Sequence, residues 1–375
     1  MRATVDAKEF SQALNKVIKV IKPASIPELE GVLVSISNDR CTLTATDFTT
    51  WLTTTIPARG DDLSFVFQRP KDAARACGHF EGELILEAEE KSNHKTLDAV
   101  EKSAEKDHCI QLTMSCGPRA AQMDAFLPED YPAMREEQTR HTYTVNAARL
   151  LERVEHVKYA LRKPDDKLEA QRTHVQFDGN KVFAVDGYRL AWDVDEGLAV
   201  RQPFMVLPEA LKYLKMFGNQ EVTASVGEWY LQVTDGTTEL QTRIGGPFVF
   251  NVDGAVPKEF KEEFCVWPEE FLRELDYLKN LTRSIGSACV RFSGGKLSML
   301  TPSGGYCTQI QIDGESSIDF GFELRYMIDA LRQFRGEPQV KLKVINPVAP
   351  IILEAEGRSD FAMVLPVRMK QAAAA

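Results

Sequence analysis

The chain has 375 residues, 45 Lys+Arg against 55 Asp+Glu, a formal net charge of −10 and seven cysteines. That length allows about three domains of about 120 residues, each able to bury its own core. No run approaches the roughly 18 apolar residues of a membrane span, no signal pattern opens the chain, and seven cysteines without a C-x-x-C pair suggest neither a disulfide framework nor a zinc site, so a cytoplasmic protein with no membrane partner is expected.

The first predicted element is an amphipathic helix from about Asp6 to Ile21. Phe10, Leu14, Val17, Ile18 and Ile21 share one face, and Lys8, Gln12, Asn15, Lys19 and Lys22 fall opposite. A strand at Val32-Leu33-Val34, a turn at Asn38-Asp39 and a second strand through Thr42-Leu43-Thr44-Ala45-Thr46-Asp47 read as a β-hairpin. A helix follows from Pro70. Between Glu87 and His108 lies a long polar segment where a tight turn would suffice, read as a solvated loop or short surface helix.

Arg135 to Arg140 (REEQTR) reads as a linker, after which Asn146 is a plausible N-cap. Leu150, Val154, Val157 and Leu161 form the apolar stripe of the helix it starts, flanked by Arg149, Arg153, Arg162 and Lys163 and ended by Pro164. The next hairpin runs through Val175-Gln176-Phe177, a turn at Asp178-Gly179 and Lys181-Val182-Phe183-Ala184-Val185-Asp186, and another helix starts at Pro208. After a second linker, Pro257 to Glu263 (PKEFKEE), a helix from Pro268 carries Phe271, Leu272, Leu275, Leu278 and Leu281. A third hairpin joins Val290-Arg291-Phe292 through Gly294-Gly295 to Lys296-Leu297-Ser298-Met299-Leu300-Thr301, with a helix beginning at Glu323. The terminal QAAAA reads as a disordered tail.

The same unit is therefore written three times. From the last residue of each hairpin to the start of the next helix the offsets are 23, 22 and 22 residues, a regularity that marks an internal repeat. Short runs of Val, Ile, Thr and Phe between few helices give an α+β class with antiparallel sheets. The expected domains are 1–135, 141–257 and 260–370.

Charge divides by element. The six predicted helices (7–22, 69–79, 146–164, 208–217, 268–285 and 323–336) hold 20 Lys+Arg against 11 Asp+Glu, leaving 25 against 44 elsewhere. A fold that gathered the helices on one surface would show a basic face on an acidic body, suited to phosphate contact that positions without reading sequence. Lys and Arg are also good helix formers on any solvated face, so the split has a second explanation.

Several motifs together resemble the bacterial DNA polymerase III beta subunits, the sliding clamps, over essentially the whole chain. These are Ile26-Pro27-Glu28-Leu29, Thr44-Ala45-Thr46-Asp47, Phe126-Leu127-Pro128-Glu129-Asp130-Tyr131-Pro132, Val185-Asp186-Gly187-Tyr188-Arg189-Leu190-Ala191, Phe320-Gly321-Phe322 and Val364-Leu365-Pro366-Val367-Arg368, all in family order. The resemblance implies three clamp-fold domains, a head-to-tail homodimer closed into a ring, helices lining the hole and sheets outside. It implies double-stranded DNA bound without sequence preference, a DNA polymerase III catalytic subunit, a clamp loader and other clamp-motif proteins as partners, and no cofactor. Lys8, Lys19, Lys22, Arg69, Lys71, Arg75, Arg149, Arg153, Lys163, Lys212, Lys215, Arg325 and Arg332 would face the DNA, and Leu278 and Leu281 would contribute to the dimer contact.

The resemblance also implies a groove for short linear peptides, built here from Gly187, Tyr188, Arg189 and Leu190 with Met363, Val364, Leu365, Pro366, Val367, Arg368 and Met369. A shallow apolar groove with an arginine rim would accept Leu or Phe anchors, and methionine adapts to several partners. The chain departs from the family where Arg243-Ile244-Gly245-Gly246-Pro247-Phe248-Val249-Phe250-Asn251 replaces a Lys-Leu-x-acidic-Gly stretch, and where Tyr188 stands in place of a common histidine.

Enzyme signatures are missing: there is no Walker loop, G-x-G-x-x-G, H-E-x-x-H or G-x-S-x-G. His108, Cys109, Cys116 and Asp124 are close in sequence without indicating a shared pocket, and Asp47 and Asp186 recur at equivalent repeat positions as expected of a turn role. A non-catalytic protein is expected. The alternative is a clamp-fold paralogue that acts as a peptide-binding scaffold without a replicative role.

Overall fold

A computed structural model describes residues 1–92, 108–129, 131–163, 169–246, 250–282, 288–302 and 304–369. Asp130, Pro164, residues 247–249, the expected helix end at 283–285, most of the polar insertion (93–107) and the terminal tail lie outside them. The chain forms two compact units, Met1–Ala147 with Tyr213–Arg243 and Ala148–Lys212 with Ile244–Ala375.

All six expected helices are present: α1 (Ala7–Val17), α2 (Pro70–Cys77), α3 (Ala147–Val157), α4 (Pro208–Leu211), α6 (Pro268–Leu281) and α7 (Leu324–Arg332). A seventh, α5 (Val252–Ala255), was not expected, and Asn251 caps it by accepting from the Gly254 N–H at 3.0 Å. Three helices are shorter than their periodicity suggests. Ile18–Val20, Lys158–Ala160 and Lys212–Phe217 are tighter 3-10 turns that continue α1, α3 and α4. In the first case the β-branched run Val17, Ile18, Val20 and Ile21 crowds the preceding turn, which disfavours further α-helix.

The hairpins form where the turn chemistry asks for them. Val32–Ser37 and Arg40–Thr46 pair through Ser37↔Arg40, leaving Asn38 and Asp39 as a two-residue loop with φ of 50° and 57°, as a type I′ turn requires. Gly294 and Gly295 do the same in the third repeat, with φ of 53° and 83°. In the second repeat Asp178 pairs with Lys181, so the loop is Gly179-Asn180, one residue later than expected. Gly179 has φ of 60° at the first central position, where glycine meets a type II′ turn.

Unit 1 contains a twelve-stranded antiparallel sheet. Its pivot is Thr50–Gly60, which pairs along one edge with Arg40–Thr46. Along the other edge it pairs first with Thr238–Arg243 and then, near Gly60, with Arg2–Asp6. The strands bracketing the polar insertion pair as far as Ser92↔His108. Unit 2 holds an eight-stranded and a four-stranded sheet. The eight-stranded sheet is continuous because Arg189–Val194 pairs with Phe361–Val364, strands some 170 positions apart in the chain.

Aromatic side chains fill both cores. Phe10 and Phe65 meet Phe67 edge-on at 6.3 and 5.0 Å in unit 1. In unit 2, Phe292 stacks between Phe264 and Phe320 at 5.3 and 4.8 Å, beneath Leu272, Leu275 and Leu278 of α6 and Met327, Ile328 and Leu331 of α7. Each such side chain removed from water contributes about 2 kcal/mol, enough to fix the helices on the sheets. Among the described residues no helix is long and apolar enough to cross a membrane.

Candidate functional site

The Asp186 turn of unit 2 organises the residues on which the peptide-groove expectation rests. Asp186 Oδ1 accepts from the N–H groups of Tyr188 and Arg189 at 2.9 and 3.1 Å, and its other oxygen accepts from Arg189 Nε at 3.1 Å. Asp47 does the same work in unit 1, accepting from the N–H groups of Thr49 and Thr50 at 3.1 and 2.9 Å. The repeated aspartates are therefore turn-formers. Gly187 takes φ of 91°, a backbone conformation that side chains other than glycine seldom adopt.

This turn brings Tyr188 to the surface, where it is 50% exposed, and stacks it on Tyr326 of α7 at 5.8 Å and 19°. The Arg162 guanidinium lies 5.2 Å from the Tyr188 ring centroid, and Arg189 lies 4.8 Å from that of Tyr326 and 5.8 Å from that of Tyr159. Arg189 is buried and also bonds Asp329 of α7 at 2.7 Å. Burial pushes the Tyr326 hydroxyl above its ordinary pKa.

The C-terminal segment runs alongside. The Leu365 N–H donates to the Tyr188 carbonyl at 2.9 Å, Pro366 bridges Phe322, and the Val367 N–H donates to the Gly321 carbonyl at 2.8 Å. A β-carbon at Gly321 would lie 2.8 Å from Met369 Cγ and 2.9 Å from the Val367 carbonyl oxygen, which is why Phe320-Gly321-Phe322 has glycine at its centre. The eleven expected groove residues thus fall together in unit 2, but not all reach its surface. Leu190, Met363 and Val364 are buried, Leu365, Pro366, Val367 and Met369 are half-buried, and Arg368 is exposed.

Leu190 and Met363 belong to a cluster with Phe183, Trp192 and Val252, against which Phe250, Val256, Phe260 and Leu365 pack. The atypical 243–251 stretch is therefore tied in at both ends: Ile244 bridges Val206, the Gly245 N–H donates to the Met205 carbonyl at 2.7 Å, and the Phe250 N–H donates to Gln176 Oε1 at 2.8 Å. Tyr159 and Tyr326 carry no local signal in the sequence, because ring and guanidinium contacts between elements distant in the chain bring them here.

The expected DNA-facing residues are exposed except for Arg153. Arg153 Nη1 bonds the buried Asp193 at 3.0 Å, and Arg149 bonds the equally buried Asp195 at 2.7 Å. Asp193 also takes His156 Nδ1 and the Ser359 hydroxyl, both at 2.7 Å. Burial would raise its pKa, but these hydrogen bonds and the Arg153 charge outweigh it and hold the carboxyl below 3.8. The sequence reading had Arg149 and Arg153 facing the DNA; the structure ties both to buried aspartates, Arg153 half-buried and Arg149 exposed. Lys22, Arg75 and Arg332 are ion-paired too, with Asp47, Asp72, and Asp276 and Asp329.

Leu278 is completely enclosed in the core of unit 2, and Leu281 is half-buried against it, leaving Tyr277 as the exposed apolar side chain near the end of α6. Beside α6, the strand Gly304–Gln309 is the edge of its sheet, tied to the helix by a hydrogen bond from Thr308 to Glu274. Leu300, on the neighbouring strand, is 89% exposed. Cys116 is buried and donates to the Glu81 carbonyl, while Asp124 is exposed; the side chains of His108 and Cys109 lie outside the described residues. Among the described residues there is no metal-ligating cluster, and the six described cysteines are free.

No family model matches the chain. The beta sliding clamp of Mycoplasma capricolum is 21% identical over 365 residues, covering 91% of this chain and 92% of that protein. Among solved structures, the DNA polymerase III beta subunit of Pseudomonas aeruginosa superimposes with a TM-score of 0.81 at 15% identity, over 98% of this chain and all of that one. The beta subunits of Streptococcus pyogenes (TM-score 0.79, 14% identity) and Thermotoga maritima (0.76, 17%) cover the same shares. The chain therefore has the sliding-clamp fold over nearly its whole length, and the resemblance read in its motifs is borne out.

Proposed function

We propose that this chain is a DNA sliding clamp: a processivity factor with domains 1–135, 141–257 and 260–370 that closes head-to-tail with a second copy, encircles duplex DNA and tethers a replicative polymerase and other proteins by short peptide motifs. The observation that carries this reading is a full-length match to the clamp fold in a chain whose Tyr188 turn and Leu365 segment form one surface.

The physics of such a device is topological. A closed ring cannot leave a duplex sideways, so its inner wall needs only weak, salt-sensitive attraction to phosphates, and tight base readout would stop it sliding. Lys8, Lys19, Arg69, Lys71, Lys163, Lys215 and Arg325, all exposed on or next to helices, are suited to that attraction, and the acidic remainder discourages DNA from other surfaces. On this reading the chain performs no bond chemistry, so an external loader must open the ring.

A head-to-tail contact is heterologous and closes only at the right rotation. The open edge Gly304–Gln309, with Leu300, Tyr277 and Leu281 beside it, suits strand-to-strand pairing with a second copy. The groove would take Leu or Phe anchors against Leu365, Pro366, Val367 and Met369, with Tyr188 and Arg368 at its rim. Light scattering of the eluting protein tests the assembly: a clamp runs at twice the 42.1 kDa chain mass at micromolar concentration, and a stable 42.1 kDa species contradicts it.

A further inference from the structure

We infer that unit 1 carries a second docking site for a short linear peptide, one with an aliphatic or aromatic anchor flanked by an acidic residue. The site is an open pocket of about 210 Å3 lined by Lys22, Pro23, Ala24, Leu29, Asp47 and Thr49, among others. The inference rests in part on the groove reading above, because the same aspartate-held turn borders both places.

The equivalence is residue by residue. Thr50↔Thr242 pairing in unit 1 matches Arg189↔Val364 pairing in unit 2, and the Arg243 N–H donates to the Thr49 carbonyl at 3.0 Å as Leu365 donates to Tyr188. Asp47 holds the turn before Thr50 as Asp186 holds the turn before Arg189. Thr49 therefore occupies the place of Tyr188, and Lys22 bonds the unit 1 aspartate at 2.6 Å. In unit 2 the corresponding space is bordered by the stacked Tyr188, Tyr326 and Arg162; in unit 1 a threonine leaves a pocket.

The chemistry of the lining selects the occupant. Both Asp47 oxygens are engaged, one by the Thr49 and Thr50 amides and the other by Lys22, so the carboxylate is not positioned to recruit a cation. Pro23, Ala24 and Leu29 present apolar surface, and the volume is below the roughly 300 Å3 typical of small-molecule sites, which suits a side-chain anchor. The Lys22 ammonium has three donors and is more than half exposed, so it can also donate to a carboxylate or carbonyl of the ligand.

Two exposed apolar side chains lie close to the lining in sequence: Ile26 and Phe48 are each 45% exposed. Phe48 has φ of 68°, at the repeat position where unit 2 has Gly187 with φ of 91°. An aromatic residue held in that left-handed conformation beside a pocket is the kind of local strain found at ligand sites.

Calorimetric titration with one acetylated, amidated heptapeptide, Gly-Ser-Leu-Ser-Leu-Phe-Asp, to millimolar concentration tests the site by stoichiometry. The unaltered chain should bind two peptides, Ala24→Trp or Thr49→Trp one, Leu365→Asp one, and the Ala24→Trp/Leu365→Asp double variant none. One peptide per chain, lost in Leu365→Asp and untouched by Ala24→Trp and Thr49→Trp, overturns the second site and leaves the groove standing. One peptide lost in either tryptophan variant and kept in Leu365→Asp supports the second site and overturns the groove. No binding overturns both. Thermal melts confirm folding, and if Ala24→Trp is unfolded the Thr49→Trp result decides.

Discussion

Arg189 Nη1 bonds Asp329 Oδ2 at 2.7 Å, tying the strand that follows the Asp186 turn to helix α7. The same guanidinium bonds Asp186 through Nε and lies over the Tyr326 and Tyr159 rings. Arg189→Ala removes all of these at once and leaves Asp186 buried without its partner, so it should cost about 3 kcal/mol in chemical denaturation. Arg189→Lys should recover little of this, because an ammonium cannot make the planar, forked contact.

Leu190 and Leu365 separate stability from binding. Leu190 is completely buried, so Leu190→Ala should destabilise by about 3 kcal/mol through cavity formation. Leu365 is half-buried, and Leu365→Ala should cost about 1 kcal/mol while abolishing peptide binding at the groove. Denaturation and peptide titration on the two variants check both parts, and a peptide stoichiometry in Leu365→Ala equal to that of the unaltered chain contradicts the groove assignment.

Gly321 has no room for a side chain. The added methyl of Gly321→Ala would meet the Val367 carbonyl oxygen, which is backbone and cannot swing away. The C-terminal segment must shift, at a cost of about 2 kcal/mol. Peptide affinity should fall with it, and unchanged affinity alongside lowered stability would place the groove elsewhere.

The Asp193 network predicts an acid-sensitive contribution to stability. The folded carboxyl titrates below its ordinary 3.8, so its stabilisation is complete above that value and is lost as pH falls through the lower folded value. Asp193→Asn should therefore lower stability at pH 7 and narrow its gap to the unaltered protein in strong acid. Equal gaps at both pH values would contradict the assignment.

DNA attraction should follow exposed lysines more than the tied arginines. Lys8→Glu with Lys19→Glu should flatten the salt dependence of duplex binding, by close to one unit of slope for each phosphate no longer neutralised. Arg153→Ala should leave that slope nearly unchanged and lower stability, because Arg153 is bound to Asp193.

What could be read in the sequence was what is local. Asn38-Asp39 and Gly294-Gly295 announce their turns because those residues accept positive φ, and α6 shows in the spacing of Phe271, Leu272, Leu275 and Leu278. The 3-10 continuations at Ile18 and Lys158 were hidden, since the apolar period runs through them unbroken. Pairings such as Thr50↔Thr242 and Leu190↔Met363 depend on partners far along the chain. The same distance concealed the Tyr188–Tyr326 stack and the capture of Arg149 and Arg153 by buried aspartates, which no window of sequence around α3 reveals.

Encirclement of DNA is the claim on which the rest depends, and retention after loading measures it. The protein is loaded onto a nicked circular duplex by the cognate loader, moved to high salt, and compared with the same molecule cut to linear. A clamp stays on the circle and is lost from free linear ends, because only topology holds it once phosphate attraction is screened. Equal loss from both contradicts the account and leaves a clamp-fold scaffold whose work lies in its peptide sites.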